Sequence, residues 1–189
     1  EKNILKVIEP LFLDDLRAEF AHALTLKRDK RQRLEALHDK IARLKFLDPA
    51  CGCGNFLVIA YRELRELELQ ILHALFDRPG ENERLIAFDP VANARVNVDQ
   101  FAGIELGEFP VRIAETAMWM MDHIMNTKLS LEFHKPYVRI PLRKTAHIVH
   151  GDALELDWAE VLAPAQCSYV FGNPPFVGAK MQTPAQRAQ

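Results

Sequence analysis

The chain has 189 residues, of which 49% are hydrophobic and 26% charged, with a formal net charge of −2 at pH 7. That is enough apolar material for one buried core, and the charge balance excludes the strong overall basic field with which many nucleic-acid-binding domains hold a polyanion. No run approaches the roughly 18 consecutive apolar residues of a membrane helix, and the first residues lack a secretory-signal layout, so a cytoplasmic protein that does not engage a membrane is expected.

In chain order, residues 9–44 carry Leu11, Leu16, Phe20, Leu24, Leu34, Leu37, Ile41 and Leu44 at roughly helical spacing. They are expected to form helices over a core, interrupted around the basic run Lys27-Arg28-Asp29-Lys30-Arg31-Gln32-Arg33. Such a run reads first as a solvated helix face, although it could touch phosphates. A short apolar segment at about 44–48 predicts the first strand, followed by a glycine-rich turn. Asn55 to Phe76 then predicts a helix buried along Leu57, Tyr61, Leu64, Leu67, Ile71 and Leu75, and Asp77-Arg78-Pro79-Gly80 stops it. A polar connection with a small insert at Leu85-Ile86-Ala87-Phe88 leads to a second strand at 101–105. Glu108-Phe109-Pro110 opens a helix reaching about Asn126, with Pro110 in its first turn and Ile113, Ala117, Met120, Met121, Ile124 and Met125 facing the core. Residues 127–146, which include Pro136 and Pro141, read as an irregular or edge-strand excursion before a third strand at 147–150; a fourth covers 168–172. Strands separated by helices imply an α/β fold with a mainly parallel sheet, in which residues 1–45 are a helical segment covering a core of 46–189. Ligands of such sheets gather beyond the C-terminal strand ends, where Asp48, Glu105, Asp152 and Asn173 all fall.

Two segments carry chemistry. Phe46-Leu47-Asp48-Pro49-Ala50-Cys51-Gly52-Cys53-Gly54-Asn55-Phe56-Leu57 has the layout of a cofactor cradle, a strand, a glycine turn and a helix start. Gly52 and Gly54 let the backbone approach a ligand, and the following helix offers its N-terminus. Leu57 stands where a dinucleotide fingerprint needs its third glycine, and no Gly-Lys-Ser/Thr follows, so hydride chemistry and a P-loop both fall behind. Near the C-terminus, the apolar run Tyr169-Val170-Phe171-Gly172 leads into Asn173-Pro174-Pro175-Phe176. The prolines hold an extended turn from which the Asn173 side-chain carbonyl and the Pro174 backbone carbonyl can converge on an NH2 group, with Phe176 as a stacking face for a flipped base. An ordinary Pro-Pro turn after a strand is the plainer alternative. Cys51, Cys53 and Cys167 are an odd set without Cys-x-x-Cys or matching histidine spacing, which argues against disulfides and a zinc site; no metal ligand is assigned.

Taken together, Asp48-Pro49-Ala50-Cys51-Gly52-Cys53-Gly54 followed by Asn173-Pro174-Pro175-Phe176 resembles the class I S-adenosylmethionine-dependent methyltransferases, and among them the N6-adenine DNA methyltransferases of the γ arrangement. With Asn3-Ile4-Leu5-Lys6-Val7-Ile8 and Glu9-Pro10-Leu11-Phe12-Leu13, the match is similar to the methyltransferase domain of MmeI-type restriction–modification enzymes. The resemblance implies a Rossmann-like methyltransferase fold, S-adenosylmethionine as cofactor, and transfer of its methyl group to adenine N6 in DNA. It further implies cofactor contacts from Asp48, Pro49, Ala50, Cys51, Gly52, Gly54, Asn55, Phe56 and Asn173, with Glu105 on the ribose hydroxyls and Asp152 with Ala153 near the cofactor's adenine. Asn173, Pro174, Pro175 and Phe176 are implied as the catalytic group. A strand-end carboxylate for Glu105 and a turn-capping role for Asp152 remain the alternatives.

The same resemblance implies a fragment truncated at both ends. Only the tail of the family's first cofactor segment precedes the cradle, and the chain stops 13 residues after Phe176, short of a recognition domain that would hold DNA and of any fused endonuclease. The isolated chain is therefore expected to bind cofactor weakly at best and not to methylate DNA. Rival functions are methylation of RNA or of protein glutamine amides, because the Asn-Pro-Pro-aromatic grip suits any planar NH2, and a non-catalytic cofactor-binding scaffold. A cytosine-C5 methyltransferase would need an activated cysteine in a Pro-Cys context, whereas Cys167 follows Gln166.

Overall fold

The computed structural model describes residues 1–76, 89, 93–134 and 145–174. Helix α1 (Lys2–Ile8) passes through a π-helical turn at Glu9–Leu13 into α2 (Asp14–Thr25). Pro10 has no N–H to give to the preceding turn, and the widened turn closes instead with the Asp14 N–H donating to the Glu9 carbonyl. The extra residue rotates the apolar face, so Phe12 and Leu13 enter the core while the expected Leu11 and Leu24 are exposed. A left-handed residue at Asp29 ends the basic interruption, and α3 (Lys30–Ile41) buries Leu34, Leu37 and Ile41.

The remaining described elements alternate: β1 (Phe46–Asp48), α4 (Asn55–Phe76), β2 (Phe101–Glu105), α5 (Glu108–Phe133), β3 (His147–His150), the short α6 (Trp158–Val161) and β4 (Tyr169–Val170). The four described strands form one sheet in the order β3-β2-β1-β4, every pair parallel. β1 and β4 are shorter than the expected 44–48 and 168–172, but pairing extends past the regular strands, with Ser168 N–H donating to the Lys45 carbonyl and Phe171 N–H to that of Leu47.

Phe46 is the centre of the helix-side core. It stacks on Phe101 at 4.8 Å and on Tyr169 at 5.6 Å, with Phe12 and Phe171 tilted around it. The opposite sheet face carries a smaller cluster of Leu47, Ala102, Ile104 and Val161. All six expected residues of the α4 stripe are buried.

α5 departs from its expected packing in two ways. It continues past Asn126 to Phe133, so the first residues of the expected excursion are helical. Its buried residues are Val111, Ala114, Met118, Met125, Leu129 and Phe133, whereas Ile113, Met120 and Ile124 are exposed. The inner face also carries Asp122 and Asn126, which a hydrophobic count discounts. They are buried because Tyr61 and Arg65 on α4 bond Asp122, and the Asn126 amide donates to Asp122 Oδ2 at 3.0 Å. The polar cluster continues through Arg65 Nε to Glu68 at 3.1 Å and from Glu68 to His38 of α3 at 2.9 Å. Glu68 also accepts the Arg95 and Val96 N–H groups, tying α3, α4, α5 and the approach to β2 into one unit.

The stop at Asp77-Arg78-Pro79-Gly80, the insert at Leu85-Ile86-Ala87-Phe88, Pro136, Pro141, Pro175 and Phe176 lie outside the described residues. No described helix is long and apolar enough to cross a membrane.

Candidate active site at the switch of the sheet

β2 and β3 are added on one side of β1 and β4 on the other, so the loops leaving β1 and β4 diverge and open a crevice at the C-terminal edge. The loop after β1 is held from several directions. The Cys51 N–H donates to the Ile104 carbonyl at 3.0 Å and the Gly54 N–H to the Cys51 carbonyl at 2.8 Å. The Ala50 N–H donates to Asp48 Oδ1 at 3.0 Å. Gly52 and Gly54 both have positive φ, +54° and +81°. At Gly54 a β-carbon would also meet the Ala114 methyl at 3.0 Å, so glycine lets α5 close on the loop, while Gly52 faces open space.

A cavity of about 600 Å³ lies against this loop. Of the expected residues, Asp48, Ala50, Cys51, Gly52, Asn55, Phe56 and Asn173 wall it. Pro49 and Gly54 belong to the same loop. Glu105 stands behind it at the end of β2: Oε2 accepts the Gly52 N–H and Oε1 the Gly107 N–H, both at 2.9 Å, leaving one lone pair on each oxygen. Asp152 and Ala153 stand apart from the described walls. Asp152 caps its own turn, accepting the Leu154 N–H at 2.9 Å, and Ala153 packs toward the opposite sheet face. The strand end nevertheless adjoins Glu105, whose carbonyl accepts the Gly151 N–H at 2.9 Å. Asn173 lines the cavity and is exposed, and Pro174 after it is exposed as well.

Asn3, Ile4 and Val7 of α1, together with Cys53 and Gly172, complete the wall and were absent from the expected set. Asn3 and Val7 are four residues apart and so share a helix face, a signal present in the sequence once α1 is recognised as a helix. Leu106, 68% exposed directly after Glu105, leaves an apolar surface at that strand end, which composition alone does not distinguish from a loop leucine.

The site is electronegative. Asp48 is pushed up to about 6, chiefly by burial and further by the charge of Glu105, against the opposing Ala50 hydrogen bond. Burial, with Asp48 and Glu105 adding to it, pushes the Cys51 thiol up to about 12, so it stays protonated and is a poor nucleophile. No Lys or Arg belongs to the described walls.

A parallel α/β sheet with a glycine loop after β1, a carboxylate after β2 and an Asn-Pro segment after β4 defines a Rossmann-like domain of the methyltransferase type. A family description, "MmeI, DNA-methyltransferase domain", matches residues 24–189, and the chain belongs to that family. It is 42% identical over 185 residues to DNA methyltransferase A of Bacillus subtilis (strain 168), covering 95% of this chain and 20% of that protein. A putative type II restriction enzyme and methyltransferase of Methanocaldococcus jannaschii is 23% identical over 92 residues, covering 49% of this chain and 7% of that protein. The solved structure of the Type IIL restriction-modification enzyme MmeI in complex with DNA superposes with a TM-score of 0.90 at 49% identity, covering 100% of this chain and 24% of that one. The chain thus spans about a quarter or less of the length of these relatives.

Proposed function

We propose that this domain transfers a methyl group from S-adenosylmethionine to the N6 amino group of adenine in DNA, in the cytoplasm and within a restriction–modification enzyme whose other parts hold the DNA and carry an endonuclease. The observation that carries this reading is the convergence of Asp48, the Gly52 loop and Asn173 on one cavity at the C-terminal strand ends. Its chemistry fits the group: carboxylates of Asp48 and Glu105 without a cationic side chain in the described walls suit a ligand bearing ammonium and sulfonium charge.

When bound, S-adenosylmethionine supplies an electrophilic methyl group. Everything else falls to residues of the chain. Glu105 offers its two remaining lone pairs to ribose hydroxyls, and Leu106 gives an adenine ring an apolar neighbour. Asp152 keeps Oδ2 for the cofactor's adenine amino group while Oδ1 caps the turn. The Asn173 side-chain carbonyl and Pro174 backbone carbonyl accept from the target amine, orient it and stabilise the positive charge that develops on its nitrogen. Phe176 stacks on the extruded base. The protonated Cys51 is consistent with direct transfer rather than a covalent enzyme intermediate.

The test is to give the full-length protein methyl-labelled donor with DNA, RNA and protein acceptors together, digest each, and identify the labelled product by mass spectrometry. Labelled N6-methyldeoxyadenosine is expected. Label confined to RNA or to glutamine would move the reading to those acceptors, and donor binding without label in any acceptor would leave a scaffold role.

A further inference from the structure

Gly172 joins β4 to Asn173, and the space beside it is already taken. A β-carbon at this position would lie 2.4 Å from Asp48 Oδ1 and 3.1 Å from its Cγ. Asp48 is 1% exposed and anchored, since Oδ1 also accepts the Ala50 N–H at 3.0 Å. The adjoining backbone is fixed as well, because the Leu47 carbonyl accepts the Phe171 N–H at 3.0 Å. One buried carboxylate therefore touches both halves of the site, the start of the glycine loop and the residue before Asn173. Asn173 and Pro174 are themselves exposed, so among the described residues their placement is set by the path of the backbone leaving Gly172 rather than by burial of their side chains.

We propose that Asp48 is a positioning residue for the Asn173–Pro174 acceptor pair: its carboxylate fills the volume beside Gly172 and sets the direction in which the chain leaves β4. This rests on the methyl-transfer reading and adds to Asp48 a role distinct from walling the cofactor cavity. It follows that shape matters more than charge for the placement of Asn173. Asparagine fills the same volume, alanine leaves a void, and any side chain at 172 has to displace the carboxylate or the loop.

The experiment is a double-substitution cycle in the full-length protein, reading kcat at saturating donor and DNA alongside donor affinity by calorimetry. Gly172→Ala forces a shift of about 1 Å and is expected to lower kcat on the order of 100-fold. Asp48→Ala is expected to lower it about tenfold or more, Asp48→Asn to lower it less than Asp48→Ala by about threefold or more, and Asp48→Ala with Gly172→Ala to recover most of the Gly172→Ala loss, since contacting residues couple. If Gly172→Ala does not fold, the contrast between Asp48→Ala and Asp48→Asn still decides. Losses confined to donor affinity with kcat intact, or strictly additive losses in kcat, would overturn the proposal and leave Asp48 a cavity wall alone. Absence of transfer by the unaltered protein to any acceptor would instead remove the methyl-transfer reading, and the positioning role with it.

Discussion

Asp48 combines a structural cost with a place in the site. Its carboxyl is pushed from 3.8 to about 6 by burial, so the folded chain takes up a proton before the unfolded chain does. Stability from this group is therefore complete at low pH and is lost as pH rises through about 6, an effect on the order of 2–3 kcal/mol. Asp48→Asn is expected to raise the denaturation midpoint of the domain at pH 8 and to change it little at pH 4.5, measured by urea titration at the two pH values; a lower midpoint at pH 8 would contradict this account of its burial. The residues around it were unevenly legible. The glycine loop and Asn173 could be read because their types are dictated by backbone conformation and amide chemistry. Asn3, Ile4 and Val7 were legible only as part of a segment, because which of its side chains become wall depends on the α1 face that turns toward the cavity.

Among the elements, the order β3-β2-β1-β4 is set by which edges pair and has no local signal, whereas the parallel pairing of the strands and the α4 stripe followed from strand–helix alternation and helical periodicity. The π-helical turn at Glu9–Leu13 and the inner face of α5 did not. One depends on a single missing N–H at Pro10, and the other buries Asp122 and Asn126 that hydrophobic counting assigns to solvent. α5 gives a direct comparison of its two faces. Met118→Ala should cost about 2–5 kcal/mol, as a large-to-small change in a packed core does. Ile124→Ser, at a position 53% exposed, should change stability by no more than about 0.5 kcal/mol. Reversed values in denaturant titrations would show that the outward face is the packed one. The polar cluster makes a second claim at this scale. Glu68→Ala leaves Arg65 and His38 buried without their shared partner and removes the acceptor of the Arg95 and Val96 N–H groups. A loss of about 3–5 kcal/mol is expected from the same titration, and a change below 1 kcal/mol would mean that the cluster is solvated in solution.

Across the whole molecule, the sheet does one thing for function: by turning back at β1 it brings the loop after β1 and the segment after β4 to opposite sides of one cavity, with the Glu105 carboxylate behind the loop. Local sequence near Asp48 and Asn173 states what each segment is suited to, but their separation of more than a hundred residues is closed by the parallel pairing of β1 with β4. The proposed transfer requires Asn173 to act across that cavity on a methyl acceptor. Its most direct test is the rate of label transfer from methyl-labelled S-adenosylmethionine to DNA by the full-length protein and its Asn173→Ala form, compared at saturating donor. A loss of about 100-fold or more in kcat is expected, in line with removal of a group that stabilises developing charge, with N6-methyldeoxyadenosine as the product that disappears. Transfer to adenine at an undiminished rate by Asn173→Ala would contradict it.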